Sequence, residues 1–223
     1  MRILLCGEGP HDVGTREWDT RQKDWVVKEG WLQPICRKLI QGSDLEFVAT
    51  TRKDVVLLPR QQAKHRPLPV GHGAKALAAS YIARSKKCDA VIFMADNDSP
   101  DTSEWRSKTQ QIEEGFRASD DGTPGIPCVP MSTSECWLLA DSSAWGHVEA
   151  KGLPNPPVET LWGTRNDPES DHPKQVFARV CNSLEFPDDR ETRRAVAEAV
   201  TPANVEDSCP TSFGGFRAKL SSL

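Results

Sequence analysis

Residues 89–98, DAVIFMADND, constrain the fold of this chain more than any other stretch. Ala90, Val91, Ile92, Phe93, Met94 and Ala95 are all apolar. A short, unbroken apolar run needs cover on both faces, which describes a parallel strand with helices on either side. The run stops abruptly at Asp96 and Asp98. On an extended chain residues i and i+2 point the same way, so both carboxylates can reach one hard cation such as Mg²⁺. A second reading stands beside the first: Asp98, with Ser99 and Pro100, opens a turn and caps the next helix. The string alone leaves both open.

The other segments supply the partners such a strand needs. Residues 2–6 form a short apolar strand ending in Gly7, Glu8, Gly9 and Pro10, which leaves Glu8 at the strand's carboxyl end. Chemistry collects at that end in parallel α/β sheets. Asp12 joins the same cluster if the loop curls. Residues 15–30 are polar, carry Trp18 and Trp25, and show no clear period. Trp31, Ile35, Leu39 and Ile40 have helical spacing up to Gly42, and residues 45–51 and 55–58 read as strands.

Ala74, Leu77, Ala78, Tyr81 and Ile82 then line one helix face, placing Gly71, His72 and Gly73 at its N-terminus. That position attracts anions, although a tight turn explains the glycines equally well. A helix is expected over 103–116, with Glu104 and Lys108 paired at i, i+4. Residues 126–131 read as a last strand, kept to the sheet edge by Pro127 and Pro130. Ser132, Thr133 or Ser134 can cap a helix beginning near Glu135, whose position also suits the helix dipole.

Residues 152–157 are Pro-rich and mark a boundary, after which helices follow. One runs over 172–184 and opens on Pro173; another covers 195–200 behind a capping box of Asp188 and Glu191. Phe213, Phe216 and Leu220 suit a last short helix. The expected organisation is an α/β domain over 1–150, a mostly parallel sheet flanked by helices, with a helical extension over 151–223 packed on it.

Composition narrows the setting. The seven cysteines form no CxxC pair and follow no export signal, so they read as reduced thiols of a cytoplasmic protein. No apolar run is long enough for a membrane span. The net charge of −4 argues against nucleic acid as a partner until its distribution is considered. Residues 52–87 hold nine basic residues, among them Arg52, Lys53, Arg60, Lys64, Arg66 and Lys75, against the single acid Asp54. That segment carries +8 and the remainder −12. A basic strip beside an acidic site suits a protein that holds phosphates with one surface and metal with another.

Three signals arrive in order: Glu8 after the first strand, Asp96-Asn-Asp98 after a buried middle strand, and Ser134-Glu-Cys-Trp-Leu-Leu-Ala-Asp141 after a late one. Together they resemble the TOPRIM domain over residues 1–141, and the Glu-x-Trp-Leu-Leu-Ala-Asp string resembles a small TOPRIM-like branch related to the overcoming-lysogenisation-defect nucleases. His172-Pro-Lys174 and the terminal CPTSFGGF are similar to that branch too. The resemblance implies that Glu8, Asp12, Asp96, Asp98 and Glu135 hold Mg²⁺ or Mn²⁺. Pro100 stands where the usual third aspartate of the series would be.

The function expected from this resemblance is a divalent-metal-dependent nuclease acting on nucleic acid, DNA first, in bacterial defence against phage or plasmids and beside a partner ATPase. Glu8 would be a metal ligand or general base, and Lys174 would stabilise the phosphate in the transition state. Arg52, Lys53, Arg60, Lys64, Arg66 and Lys75 would carry the nucleic-acid backbone. The alternative from another class is a non-catalytic TOPRIM-like adaptor that binds a partner through the Trp-rich segment and the helical tail. A haloacid-dehalogenase-type phosphatase also uses a DxD pair, but needs an aspartate where this chain has Glu8.

Overall fold

The two most apolar strands lie side by side at the centre of a four-stranded parallel sheet. The computed structural model describes residues 1–21, 23–40, 44–65, 67–119, 122–146, 154 and 157–223, with backbone alone at 24 and 25. The elements begin with β1 (Arg2–Gly7), α1 (Pro10–Val13), β2 (Thr15–Asp19), β3 (Asp24–Lys28), α2 (Leu32–Leu39) and β4 (Glu46–Thr51). Next come α3 (Pro59–Lys64), α4 (His72–Ser85), β5 (Ala90–Met94), α5 (Thr102–Ala118) and β6 (Gly125–Cys128). The remainder is α6 (Glu135–Leu139), two 3₁₀ turns, α7 (Pro173–Ser183), α8 (Arg190–Ala199), α9 (Pro202–Ser208) and α10 (Ser212–Leu220).

The sheet order is β4-β1-β5-β6, all parallel. Alternation along β1 sends Ile3 and Leu5 to one face and Leu4 and Cys6 to the other. One face packs on Leu77, Ala79, Ile112 and Phe116 of α4 and α5, and the other on α2, α6 and the C-terminal helices. The architecture is therefore the three-layer, Rossmann-like α/β sandwich that an unbroken apolar strand demands. From β1 the chain goes out to β4 on one side and returns to β5 on the other. The crevice between the carboxyl ends of β1 and β5 is therefore the switch point at which such sheets bind ligands.

Residues beyond 157 belong to the same core as the sheet. Trp137 of α6 meets Trp31 edge-on at 5.9 Å and Phe213 at 5.0 Å, and stacks on Phe216 at 5.4 Å. Its indole N–H donates to Ser212 Oγ over 3.0 Å. Glu159, buried, accepts from the backbone N–H groups of Thr211 and Ser212 and so anchors the start of α10. The expected boundary between 150 and 151 lies outside the described residues, as does Gly42.

Several local expectations change. Residues 15–28 form an antiparallel hairpin, β2 with β3. Arg16 and Trp18 of β2 are exposed while Thr15, Glu17 and Asp19 are only half-buried, so no apolar alternation marks this strand in the sequence. Residues 55–58 are not a strand; Val55 and Leu57 are buried side chains of a connection leading to α3. Asp189, not Asp188, caps α8 by accepting from the Thr192 N–H, because Asp188 is taken by Arg193. Lys108 does not pair with Glu104. It turns inward and donates to the carbonyl oxygens of Asp96 and Asn97 at 2.6 and 2.8 Å.

Candidate active site

Three of the acids follow parallel strands of the sheet. Glu8 follows β1, Asp96 lies two residues beyond β5, and Glu135 opens α6 after β6. The Asp96 N–H donates to Glu8 Oε1 at 3.3 Å across the crevice, and Asp96 Oδ1 accepts from the Ser134 N–H at 2.8 Å. Burial, and then the Glu135, Glu8 and Asp12 carboxylates, push the Asp96 acid well above its usual range, while Lys174 pulls it back. The structure thus brings Glu8, Asp12, Asp96 and Glu135 to one place.

Positive groups stand against three of these carboxylates. Arg52 Nη2 is 2.9 Å from Glu8 Oε1, Lys174 Nζ is 3.8 Å from Asp96 Oδ2, and Arg193 Nη1 donates to Glu135 Oε1 at 2.6 Å. Burial raises the Glu135 acid, but Arg193 and then Lys174 more than offset this and hold it below the usual range. Arg193 also donates to Asp188 and stacks over the Phe177 ring at 4.6 Å. Lys174 reaches the site because His172, the N-cap of α7, accepts from the Lys174 N–H and opens the helix against the acids.

Two expected ligands play different parts. Asp12 is spent on the loop: Oδ2 accepts from the Glu8 and Gly9 N–H groups, both at 3.0 Å, and Oδ1 from the Trp31 indole at 3.0 Å. It shapes the turn that carries Glu8. Asp98 does not share a face with Asp96, because the chain is no longer extended there. Its φ of 55° is left-handed, and its carboxylate is 64% exposed and lies 3.8 Å from Lys108. Among the described residues no three His, Cys, Asp or Glu side chains are grouped as ligands of one ion.

The basic segment divides. Arg52, Lys53 and Lys75 border a cavity next to Glu8, with His72 and Gly71 completing its wall. Arg60 and Lys64 are exposed on α3 and are not among the described residues lining that cavity, and Arg66 lies outside the described residues. Burial, with Lys108 and Arg52 nearby, lowers His72 to about 4, so its ring is neutral at pH 7. Arg193 and Lys108 carry no site signal in the sequence, and His172 is marked there only by its place in His172-Pro-Lys174. Arg193 reads there as one more charge on a polar helix, and only the distance to Glu135 distinguishes it.

No family model, curated protein or solved structure significantly matches the chain. Among the described residues no helix is long and apolar enough to cross a membrane.

Proposed function

We propose that this chain is a divalent-metal-dependent hydrolase of nucleic-acid phosphodiester bonds, related to the TOPRIM nucleases. The observation that carries the reading is the meeting of Glu8, Asp96 and Glu135 at the switch point of a parallel sheet, each faced by a different cation. The donors suit Mg²⁺ or Mn²⁺. Among the described residues the buried Glu135 Oε2 has no close hydrogen-bond partner, although the Thr133 hydroxyl acts on this carboxylate, and Asp96 carries more negative neighbours than Lys174 alone balances. Because no three acids of the described residues are grouped as ligands of one ion, Glu8 would have to turn from Arg52 to join Asp96 and Glu135 around a metal, which when bound lowers the pKa of its water and offsets charge on the leaving oxygen.

The protein's own groups supply the rest. Lys174, only partly buried, can donate to a phosphoryl oxygen as negative charge grows there. If Glu8 is not a ligand, it would instead take a proton from an attacking water, being partly exposed at the mouth of the crevice and held there by Arg52. The deciding assay incubates purified protein with plasmid or single-stranded DNA and Mg²⁺ or Mn²⁺, comparing wild type with Asp96→Asn and Glu8→Gln. Cleavage by wild type alone supports the site, and equal cleavage by all three overturns it.

One observation favours the adaptor reading. Trp18 and Val27, on the β2–β3 hairpin, are 51% and 57% exposed. Calorimetric titration with Mg²⁺ and Mn²⁺ separates the two readings: the hydrolase binds the ion and Asp96→Asn abolishes that heat, whereas an adaptor takes up neither.

A further inference from the structure

Beside Glu8 is a cavity of about 480 Å³ whose wall comes from three separate segments: the β1 exit, the turn after β4, and the start of α4. Arg52, Lys53 and Lys75 supply three positive charges, and Glu8 is the only acid among its described lining residues. Lys53 is exposed. Lys75 is steadied by donating to the Val55 carbonyl at 2.7 Å. Arg52 is held at both ends of the residue: its N–H donates to the Gly7 carbonyl at 2.8 Å, and its guanidinium spans Glu8 and, at 3.4 Å, His72 Nδ1. The first turn of the 14-residue helix α4 borders the same space and adds the positive end of its dipole.

Charge balance indicates the ligand. Among the described lining residues, three cations against one carboxylate leave a surplus of two positive charges, with His72 neutral, and the nearby Lys108 and Asp98 offset each other. An internal phosphodiester brings one negative charge, whereas a phosphate monoester brings ~1.5 to 2 at pH 7. The volume lies within the ~300–1,000 Å³ typical of small-ligand sites, enough for a phosphate with part of its nucleoside. We propose that this cavity binds the terminal phosphate of a nucleic-acid strand and seats that end beside Glu8. The proposal deepens the hydrolase reading and rests on it for the identity of the strand; the pocket's affinity for phosphate does not depend on cleavage.

The test uses the full chain in metal-free buffer, so that hydrolysis cannot intervene. Inorganic phosphate and three single-stranded oligonucleotides of one sequence, with a 5′-phosphate, a 3′-phosphate or hydroxyls at both ends, are titrated calorimetrically into wild type and Lys53→Ala. The His72 ring signals, assigned by their loss in His72→Gln, are followed by NMR. One phosphate-ended oligonucleotide is expected to bind at least tenfold more tightly than the hydroxyl-ended one. Inorganic phosphate should shift the His72 signals, and Lys53→Ala should remove most of the preference. Equal affinity for all three oligonucleotides, unmoved His72 signals, or an unchanged preference in Lys53→Ala overturns the proposal. If end preference holds but no metal supports cleavage, the hydrolase reading fails and the pocket stands; cleavage without end preference removes the pocket alone.

Discussion

Arg193 Nη1 lies 2.6 Å from Glu135 Oε1, joining α8 to the first residue of α6 in the buried interior. The pair is nearly dry, with 10% and 3% side-chain exposure, so neither charge could remain there alone. Replacing Arg193 by Met leaves a buried carboxylate without its partner and should cost ~3–5 kcal/mol. The double variant Arg193→Met, Glu135→Gln should recover much of that loss. Urea unfolding of the two singles and the double measures the coupling; additive losses would show that the pair does not interact.

Asp96→Asn should make the protein more stable and inactive. The folded Asp96 acid is raised, so between its unfolded value of ~3.9 and its folded value the native state binds more protons than the unfolded one. Stability from this group therefore falls as pH rises through that window. The asparagine keeps an oxygen to accept from Ser134 N–H and escapes the penalty, gaining about 1 kcal/mol at pH 8. Thermal melts of both proteins at stepped pH should coincide near pH 4 and separate towards pH 8.

Asp12→Asn tests whether that residue shapes a turn. An amide in place of Oδ2 would point a donor at the Glu8 and Gly9 N–H groups, which are donors themselves. The loss should be ~1–3 kcal/mol. Trp31 fluorescence should change as well, because its indole bonds to the same carboxylate. A variant with unaltered stability would show that the loop does not depend on Asp12.

Lys174→Met should lower metal-dependent cleavage by ~100-fold or more, and it should also lower stability above pH 7 because the buried Asp96 loses the cation that faces it. Lys174→Arg, which keeps the charge, should restore part of the rate. Initial rates under saturating Mn²⁺, with circular dichroism of each variant, check this; a full rate in Lys174→Met would remove the lysine from the reaction.

Much of this architecture can be read from the residues because burial leaves a strong mark on composition. A strand covered on both faces, as at Ala90–Met94, has no polar position, and β1 and α4 are nearly as clear. The hairpin lacks that mark, because the side chains of β2 are at most half-buried. Val55 and Leu57 mislead in the opposite way, since burial without a strand partner looks the same in one dimension. At the site, local spacing places Glu8, Asp96 and Glu135 at strand ends. It carries no information about Asp98 beyond an assumed extended chain, and the left-handed turn defeats that assumption. Nor can spacing reveal that Arg193, 58 positions after Glu135, is the cation beside it.

That separation has a consequence for biosynthesis. A ribosome delivers Glu8, Asp96 and Glu135 well before Lys174 and Arg193, and α/β folding can begin while the last helices are still in the exit tunnel. During that interval Asp96 and Glu135 lack the cations that face them in the folded protein, and burial of either charge is uncompensated. Trp137 likewise waits for Phe213 and Phe216, with which it packs in the finished protein. A translation product interrupted before Lys174 would therefore carry these acids without the two cations that face Asp96 and Glu135.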